Sequence, residues 1–376
     1  MRRSGGFTLI ELLTAVAIFA ILMGMLFQMI RGSLDVWRMG EGERESLEKG
    51  TVLLEEISED LRMVFADSPA GSVNAPVRML SDYGQFDLDL DLKLESTLQR
   101  LRFVRACPEE RFDRRLRRAG SVPGGTAFSS DMLTSSAEAR APGGLAEVAY
   151  ATLRLAEKGS DPALLSLYRL FRTPIGGAGS LFENQLFDQP KKLELEGIPL
   201  ADNVLYLGFE FWSRDTVSWN DAPDLETGPL TVWDSTRALL LERGNLNSFL
   251  LARGADSLER TDDDVFPRRV RVTLVLARDE DEATTAQLTS SVGTVAKTLS
   301  VNNMKLFGGG ERVHPYLKVG GEWMRWKRGS GNELIVIRGQ RRTGNLPHDA
   351  GARVHVGRTF ERVVEIPVYR EDWNDK

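Results

Sequence analysis

Twenty-four residues from Phe7 to Ile30, FTLIELLTAVAIFAILMGMLFQMI, carry a single formal charge, and that charge is the carboxylate of Glu11. As a helix the run reaches about 36 Å at 1.5 Å per residue, against a hydrocarbon core of about 30 Å. A segment of this kind spans a membrane once. Arg2 and Arg3 precede it, and the positive-inside tendency keeps them cytoplasmic, so everything after Ile30 is expected on the far side. A cleaved secretory signal has a shorter apolar core ended by a small-x-small site. Here the run continues past Ala15 and Ala17 without such a site downstream, so cleavage after it is not expected. Glu11 is the anomaly, because a carboxylate near the hydrocarbon costs roughly 3 kcal/mol or more unless it is paired, protonated or near the interface. No Lys, Arg or His lies between Phe7 and Ile30. A cation from outside the helix is the economical partner, and a new amino terminus is the best candidate.

The stretch Gly6-Phe7-Thr8-Leu9-Ile10-Glu11, behind a short basic leader and ahead of an apolar helix, resembles the class III signal of type IV pilins and type II secretion pseudopilins. The resemblance implies that a prepilin peptidase cuts after Gly6 and methylates the new terminal residue, Phe7. It also implies that Glu11, the fifth residue of the mature chain, meets the Phe7 amine of a neighbouring subunit during fibre assembly. The physical logic is simple: an unpaired charge in low dielectric gains by acquiring an opposite charge within about 4 Å. A plain anchor with Glu11 at the headgroup level accounts for the apolar length but not for this ordered cluster. One departure stands out, since many pilins kink this helix at a proline and position 28 here is Gln28. Gly24 is then the intrinsic weak point of the span, at about 1 kcal/mol relative to alanine.

Beyond the span, Leu47, Leu54, Ile57, Leu61 and Val64 repeat mostly at three- and four-residue intervals, the apolar stripe of an amphipathic helix. Gly32, Gly40, Gly42 and Gly50 interrupt it, and it is expected to end near Asp67-Ser68-Pro69. After residue 70 the pattern changes to strand-like runs at 101–106, 146–155, 164–171, 204–212, 269–277, 333–338 and 362–368. Loop-like stretches at 119–144, 174–180 and 220–229 separate some of them, and 237–253 reads as a short helical excursion. The predicted class is α+β: a long amino-terminal transmembrane and amphipathic helix packed on an antiparallel β-sheet domain, with a β-rich insertion near the carboxyl end. The order Val148-Ala149-Tyr150, Leu167-Tyr168-Arg169, Val204 to Phe211, Trp219, Trp233 and Phe266 to Val270 is similar to the strand sequence of J-type minor pseudopilins. Expected divisions are a leader at 1–6, a transmembrane helix at 7–30 and an amphipathic helix at 31–66. A periplasmic pseudopilin domain at 67–278, a hairpin-rich insertion at 279–359 and a closing strand and tail at 360–376 complete them.

Other chemistry is weakly marked. With 42% hydrophobic and 27% charged residues the chain has a globular composition, and a net charge of −6 argues against a dedicated polyanion binder. The lone cysteine, Cys107, excludes an internal disulfide and a thiolate metal cluster. His314, His348 and His355 match no metal-ligand spacing. Asp87, Asp89 and Asp91 alternate along a strand-like run, but at about 6.6–6.8 Å between alternate residues they read as a solvated face rather than a converging calcium cage. Asp262-Asp263-Asp264 reads the same way. Between Lys305 and Arg358 basic residues (Arg312, Lys318, Arg325, Lys327, Arg328, Arg338, Arg341, Arg342 and Arg353) interleave with Tyr316, Trp323 and Trp326. That pattern can hold single-stranded nucleic acid, yet solvated hairpin faces account for it, and no nucleic acid is expected. Gly308-Gly309-Gly310 lacks the Lys-Ser/Thr of a phosphate loop, and no nucleophile, base and acid set can be placed. No enzyme activity and no cofactor are expected.

The resemblance therefore implies a minor pseudopilin of the bacterial inner membrane, its carboxyl-terminal domain in the periplasm, assembled into a pseudopilus. Its partners would be prepilin peptidase, other major and minor pseudopilins and an inner-membrane assembly platform. A minor type IV pilin for adhesion or DNA uptake, and a membrane-anchored hydrolase, remain as alternatives.

Overall fold

One helix, α1 (Leu9–Arg62), carries the amino-terminal part of the protein. The computed structural model describes residues 9–66, 77–86, 96–106, 144–154, 161–173, 175, 180–182, 190–212, 233–235, 266–277, 286–307, 310, 315–341 and 343–367. Two units are distinguished, residues 1–49 and 50–376. In the first, the apolar side chains from Leu9 to Leu34 are exposed, and Leu12–Leu34 is long and apolar enough to cross a bilayer.

In the second unit the last turns of α1 bury Leu53, Leu54, Ile57 and Leu61, spaced to fall on one face of a 3.6-residue helix. The helix ends at Arg62 rather than near Asp67. Val64 is no longer helical but bridges Arg105, and its neighbour Phe65 donates its N–H to Val104 O at 3.0 Å. The chain thus leaves the helix as a short strand-like connection. Leu47, part of the predicted stripe, is exposed.

The helix's apolar face packs against an antiparallel sheet in the order β14-β7-β5-β4-β3-β2-β1-β6. Its strands are β1 (Met79–Phe86), β2 (Ser96–Ala106), β3 (Leu145–Leu153), β4 (Leu165–Arg172), β5 (Ile198–Trp212), β6 (Trp233–Asp234), β7 (Arg269–Leu276) and β14 (Arg358–Glu365). A short helix, α2 (Pro190–Glu196), precedes β5. β5 pairs with β4 over its first half and with β7 over its second. Beyond the end of the β4 pairing, Phe209 donates its N–H to Gln99 Oε1 and accepts from Gln99 Nε2, both at 2.7 Å. A side-chain amide stands in for the missing strand and satisfies buried backbone groups that would otherwise be orphaned. β14 joins the sheet beside β7 over eight residues, and Phe360 on it closes over α1. A Cβ added at Gly50 would stand 2.5 Å from the Phe360 ring, so the glycine there serves a close approach of strand to helix.

Before β14, the chain makes a second antiparallel sheet, ordered β8-β13-β10-β11-β12-β9. It consists of β8 (Ala286–Gln287), β9 (Thr298–Ser300), β10 (Tyr316–Val319), β11 (Glu322–Arg328), β12 (Glu333–Gln340) and β13 (Arg353–His355). One face has its own apolar core, including Leu299, Leu317, Met324, Trp326, Leu334 and Val336. Part of the other face meets the first sheet through Trp323, Leu205, Val275 and Ala163.

Candidate functional site

The anchor is built from the first turns of α1. Glu11 lies in the backbone of that helix, directly before the apolar span; its side chain, together with Gly6 and Phe7, lies outside the described residues. Within the span Thr14 donates its hydroxyl to Ile10 O at 2.9 Å, which satisfies the hydroxyl inside the helix, as a lipid setting requires. Gly24 has no other atoms within 4 Å of where a Cβ would stand.

Where the same helix meets the sheet, it carries a buried carboxylate. Asp60 Oδ2 accepts from Arg169 Nε and from the Tyr150 hydroxyl, each at 2.6 Å, and Oδ1 accepts from Arg105 Nη1. The Asp60 side chain is fully buried, and those of Arg105 and Arg169 are 1% and 2% exposed. Charges this deep are tolerated only when paired and hydrogen-bonded. One side chain of α1 therefore fastens the helix to β2, β3 and β4 at once. At the outer edge Arg362 on β14 pairs with Glu55.

A second buried carboxylate organises the second sheet. Glu322 accepts from Arg338 Nε at 2.6 Å and Nη2 at 2.5 Å, from the N–H groups of Gly339 at 3.1 Å and Leu346 at 3.0 Å, and from His348 Nε2 at 2.9 Å. An ionised carboxylate only accepts, so His348 carries its proton on Nε2. Burial by itself would raise the Glu322 carboxyl, but the hydrogen bonds from Arg338, His348 and Leu346 outweigh it and hold it down at about 2. The folded value lies below the ordinary value of 4.5, so Glu322 stabilises the fold above about pH 4.5 and loses that contribution as pH falls toward 2. The two values correspond to about 3 kcal/mol at neutral pH. Glu322→Gln is expected to flatten the stability profile between pH 5 and pH 2 (~3 units, the linkage window), read by urea unfolding at each pH. A profile unchanged from wild type would remove Glu322 as its source.

The two sheets are joined by polar as well as apolar contacts. Lys318 Nζ donates to Ala163 O at 2.7 Å and Leu205 O at 2.9 Å, and His355 Nε2 lies 2.9 Å from Asp161 Oδ2. Burial would raise the Asp161 carboxyl, and the His355 contact and the Ala163 N–H together hold it below its usual value. The Arg341 guanidinium lies over three rings, with centroids at 4.0 Å for Tyr206, 4.3 Å for Trp323 and 4.8 Å for Tyr316.

These contacts correct, for part of the tract, the expectation that the basic and aromatic residues between 305 and 358 form solvated hairpin faces. Lys318 is buried, Arg338 is paired with Glu322, Arg341 is caged by rings, and Trp323 and Trp326 are core residues. Arg325, Lys327, Arg328 and Arg353 are exposed. Cys107, Asp87, Asp89, Asp91, Asp262, Asp263, Asp264, His314, Arg312 and Arg342 lie outside the described residues. Among the described residues no group of three or more His, Cys, Asp or Glu side chains is arranged to hold a metal ion.

A helix long and apolar enough to cross a bilayer, preceded in sequence by a glycine, an aromatic residue and a glutamate and followed by antiparallel sheets, is an α+β arrangement consistent with a pilin-like fold. A family model described as the prokaryotic N-terminal methylation motif matches residues 1–27. The chain carries a prepilin-type amino-terminal signal, which implies processing by a prepilin peptidase and assembly with pilin-like subunits. No curated protein sequence matches the chain.

Proposed function

We propose that this chain is a minor pseudopilin of a type II secretion system, of the J type, acting at or near the tip of a periplasmic pseudopilus to start its assembly. The observation that carries the proposal is the order Gly6-Phe7-Thr8-Leu9-Ile10-Glu11 ahead of an exposed apolar span. Prepilin peptidase cuts between Gly6 and Phe7, and Phe7 is N-methylated. Residues 1–6 are the leader, and the span holds the subunit in the inner membrane until Glu11 docks on the Phe7 amine of a neighbour. The β-rich body, including residues 279–359, then selects other pseudopilins or cargo on the periplasmic side, and the inner-membrane platform drives extrusion. The mechanism is mechanical rather than chemical.

The motif within residues 1–27 supports the processing step, and the apolar helix supports the anchor. The test is to express the full chain with a prepilin peptidase, extract it from membranes and sequence its amino terminus. N-methylated Phe7 is the expected first residue; retention of Met1 in peptidase-competent cells overturns the reading. Affinity capture against co-encoded pilin-like proteins then decides the system. Retention of other pseudopilins supports type II secretion, and retention of type IV pilins alone moves the chain to a pilus.

A further inference from the structure

A small cavity of about 20 Å³ opens at the seam between the two sheets, lined by Leu205, Leu207, Lys318, Trp323, Arg341 and Thr343 among others, and among the described residues no Asp or Glu lines it. A space of this size holds one or two water-sized occupants, since about 10–15 Å³ suffices for one. Two cations border it. Lys318 spends two of its three N–H donors on the Ala163 and Leu205 carbonyls. Arg341 is held by its three rings, and its Nη1 is buried without a hydrogen-bond partner. Rings offset part of a guanidinium's charge but do not satisfy an in-plane N–H, and an unsatisfied buried donor is costly.

The position is also built at some expense. Arg341 takes φ +53°, a left-handed backbone that a long side chain rarely adopts and that persists only where the surroundings impose it. The surroundings are the Glu322 cluster, which grips Arg338, Gly339 and Leu346 on either side of Arg341. Burial, reinforced by the charge of Arg341, pushes Lys318 down to about 7, with Asp161 acting in the opposite direction. The carboxylates whose fields reach the two cations, Asp161, Glu210 and Glu361, stand outside the cavity lining. Asp161 is engaged by His355 and the Ala163 N–H, and Glu210 by Arg271.

We infer that the seam cavity is a binding site for a single small monovalent anion of halide size, held between Arg341 Nη1 and the third N–H of Lys318. An anion supplies both missing elements, an acceptor for the stranded Arg341 Nη1 donor and a charge opposite to the two cations in a low-dielectric space. Both cations belong to the second sheet, but the Ala163 and Leu205 carbonyls and the Tyr206 ring that hold them lie on the side of the first, so the site forms only when the two are joined, and the anion stabilises that join by mass action. A water molecule in the same place would accept the hydrogen bond but bring no negative charge into the cavity.

The test uses the full chain in detergent micelles at fixed ionic strength and pH, with sodium gluconate exchanged for sodium chloride or bromide. The Tm is expected to rise by about 2–5 °C at saturating halide, and the rise to vanish in Arg341→Met. Crystals of the wild-type protein soaked in bromide provide a second readout that does not depend on the folding of that variant, with an anomalous peak expected between Lys318 and Arg341. Equal Tm values in gluconate, chloride and bromide, with no bromide peak in the cavity, overturn the proposal and leave water as the occupant.

Discussion

Asp60→Asn is expected to lower the unfolding free energy by roughly 3–5 kcal/mol, because it removes the carboxylate shared by two buried guanidinium groups while leaving them buried, Arg169 keeping only the more distant Glu56 at 3.9 Å. Arg105, Arg169 and the Tyr150 hydroxyl all converge on this carboxylate, and each comes from a different strand. The loss therefore falls on the contact between helix and sheet rather than on one strand pair. Tyr150→Phe isolates a single hydrogen bond to the charged group and is expected to cost about 1.5–3 kcal/mol. Urea unfolding of the full chain in detergent measures both, as shifts of midpoint at unchanged slope. A loss below 1 kcal/mol for Asp60→Asn (under a third of the ~3 kcal/mol floor) would mean that the network contributes little to docking. Replacing Asp60, Arg105 and Arg169 together by apolar residues of similar volume is expected to recover much of the loss, since an apolar core pays no desolvation penalty for charge. If the chain is drawn into a fibre by its anchor helix, as proposed, that force must pass to its sheet. Asp60 lies where the helix and three strands meet.

The leucine-rich stripe of α1 was readable because burial of Leu54, Ile57 and Leu61 follows helical periodicity. Asp60 was not read from it, since a carboxylate near a helix end ordinarily faces water. The available signal was its position three residues after Ile57 and one before Leu61, inside the apolar face. Strands β3, β4, β7 and β12, and the second halves of β2 and β5, coincide largely with apolar or alternating runs. β1 was missed because Ser81, Asp82 and Gly84 dilute its pattern, and the first half of β5 because Pro199, Asp202 and Asn203 resemble a loop; Asn203 indeed takes φ +61°. The largest misreading concerned charge. Lys318, Arg338 and Arg341 look like solvated cations in sequence, and what buries them is distant: Ala163, Leu205 and Tyr206 from the first sheet, and Glu322 from across a hairpin. No local pattern encodes those partners, because they are set by how the two sheets meet.

Glu11→Gln is the second large effect, and it separates assembly from anchoring because the two respond in opposite directions. Glutamine keeps the length and polarity of the side chain but removes a charge whose transfer toward hydrocarbon costs roughly 3 kcal/mol on insertion scales. Membrane insertion should then be as good as wild type or better. If Glu11 docks on a neighbour's Phe7 amine as proposed, assembly should fail, since the neutral amide offers that ammonium no counter-charge. A drop of at least about tenfold in the ratio of fibre-incorporated to membrane-held protein is expected, which needs a difference of only ~1.4 kcal/mol. Quantitative blotting of sheared fibres against membranes reads that ratio directly. Were Glu11 an ordinary interfacial residue of a single-pass anchor, the substitution would leave both fractions unchanged. The decisive result is therefore a subunit that inserts normally and does not assemble, because only a charge tolerated in the membrane for the sake of a partner's amine produces it.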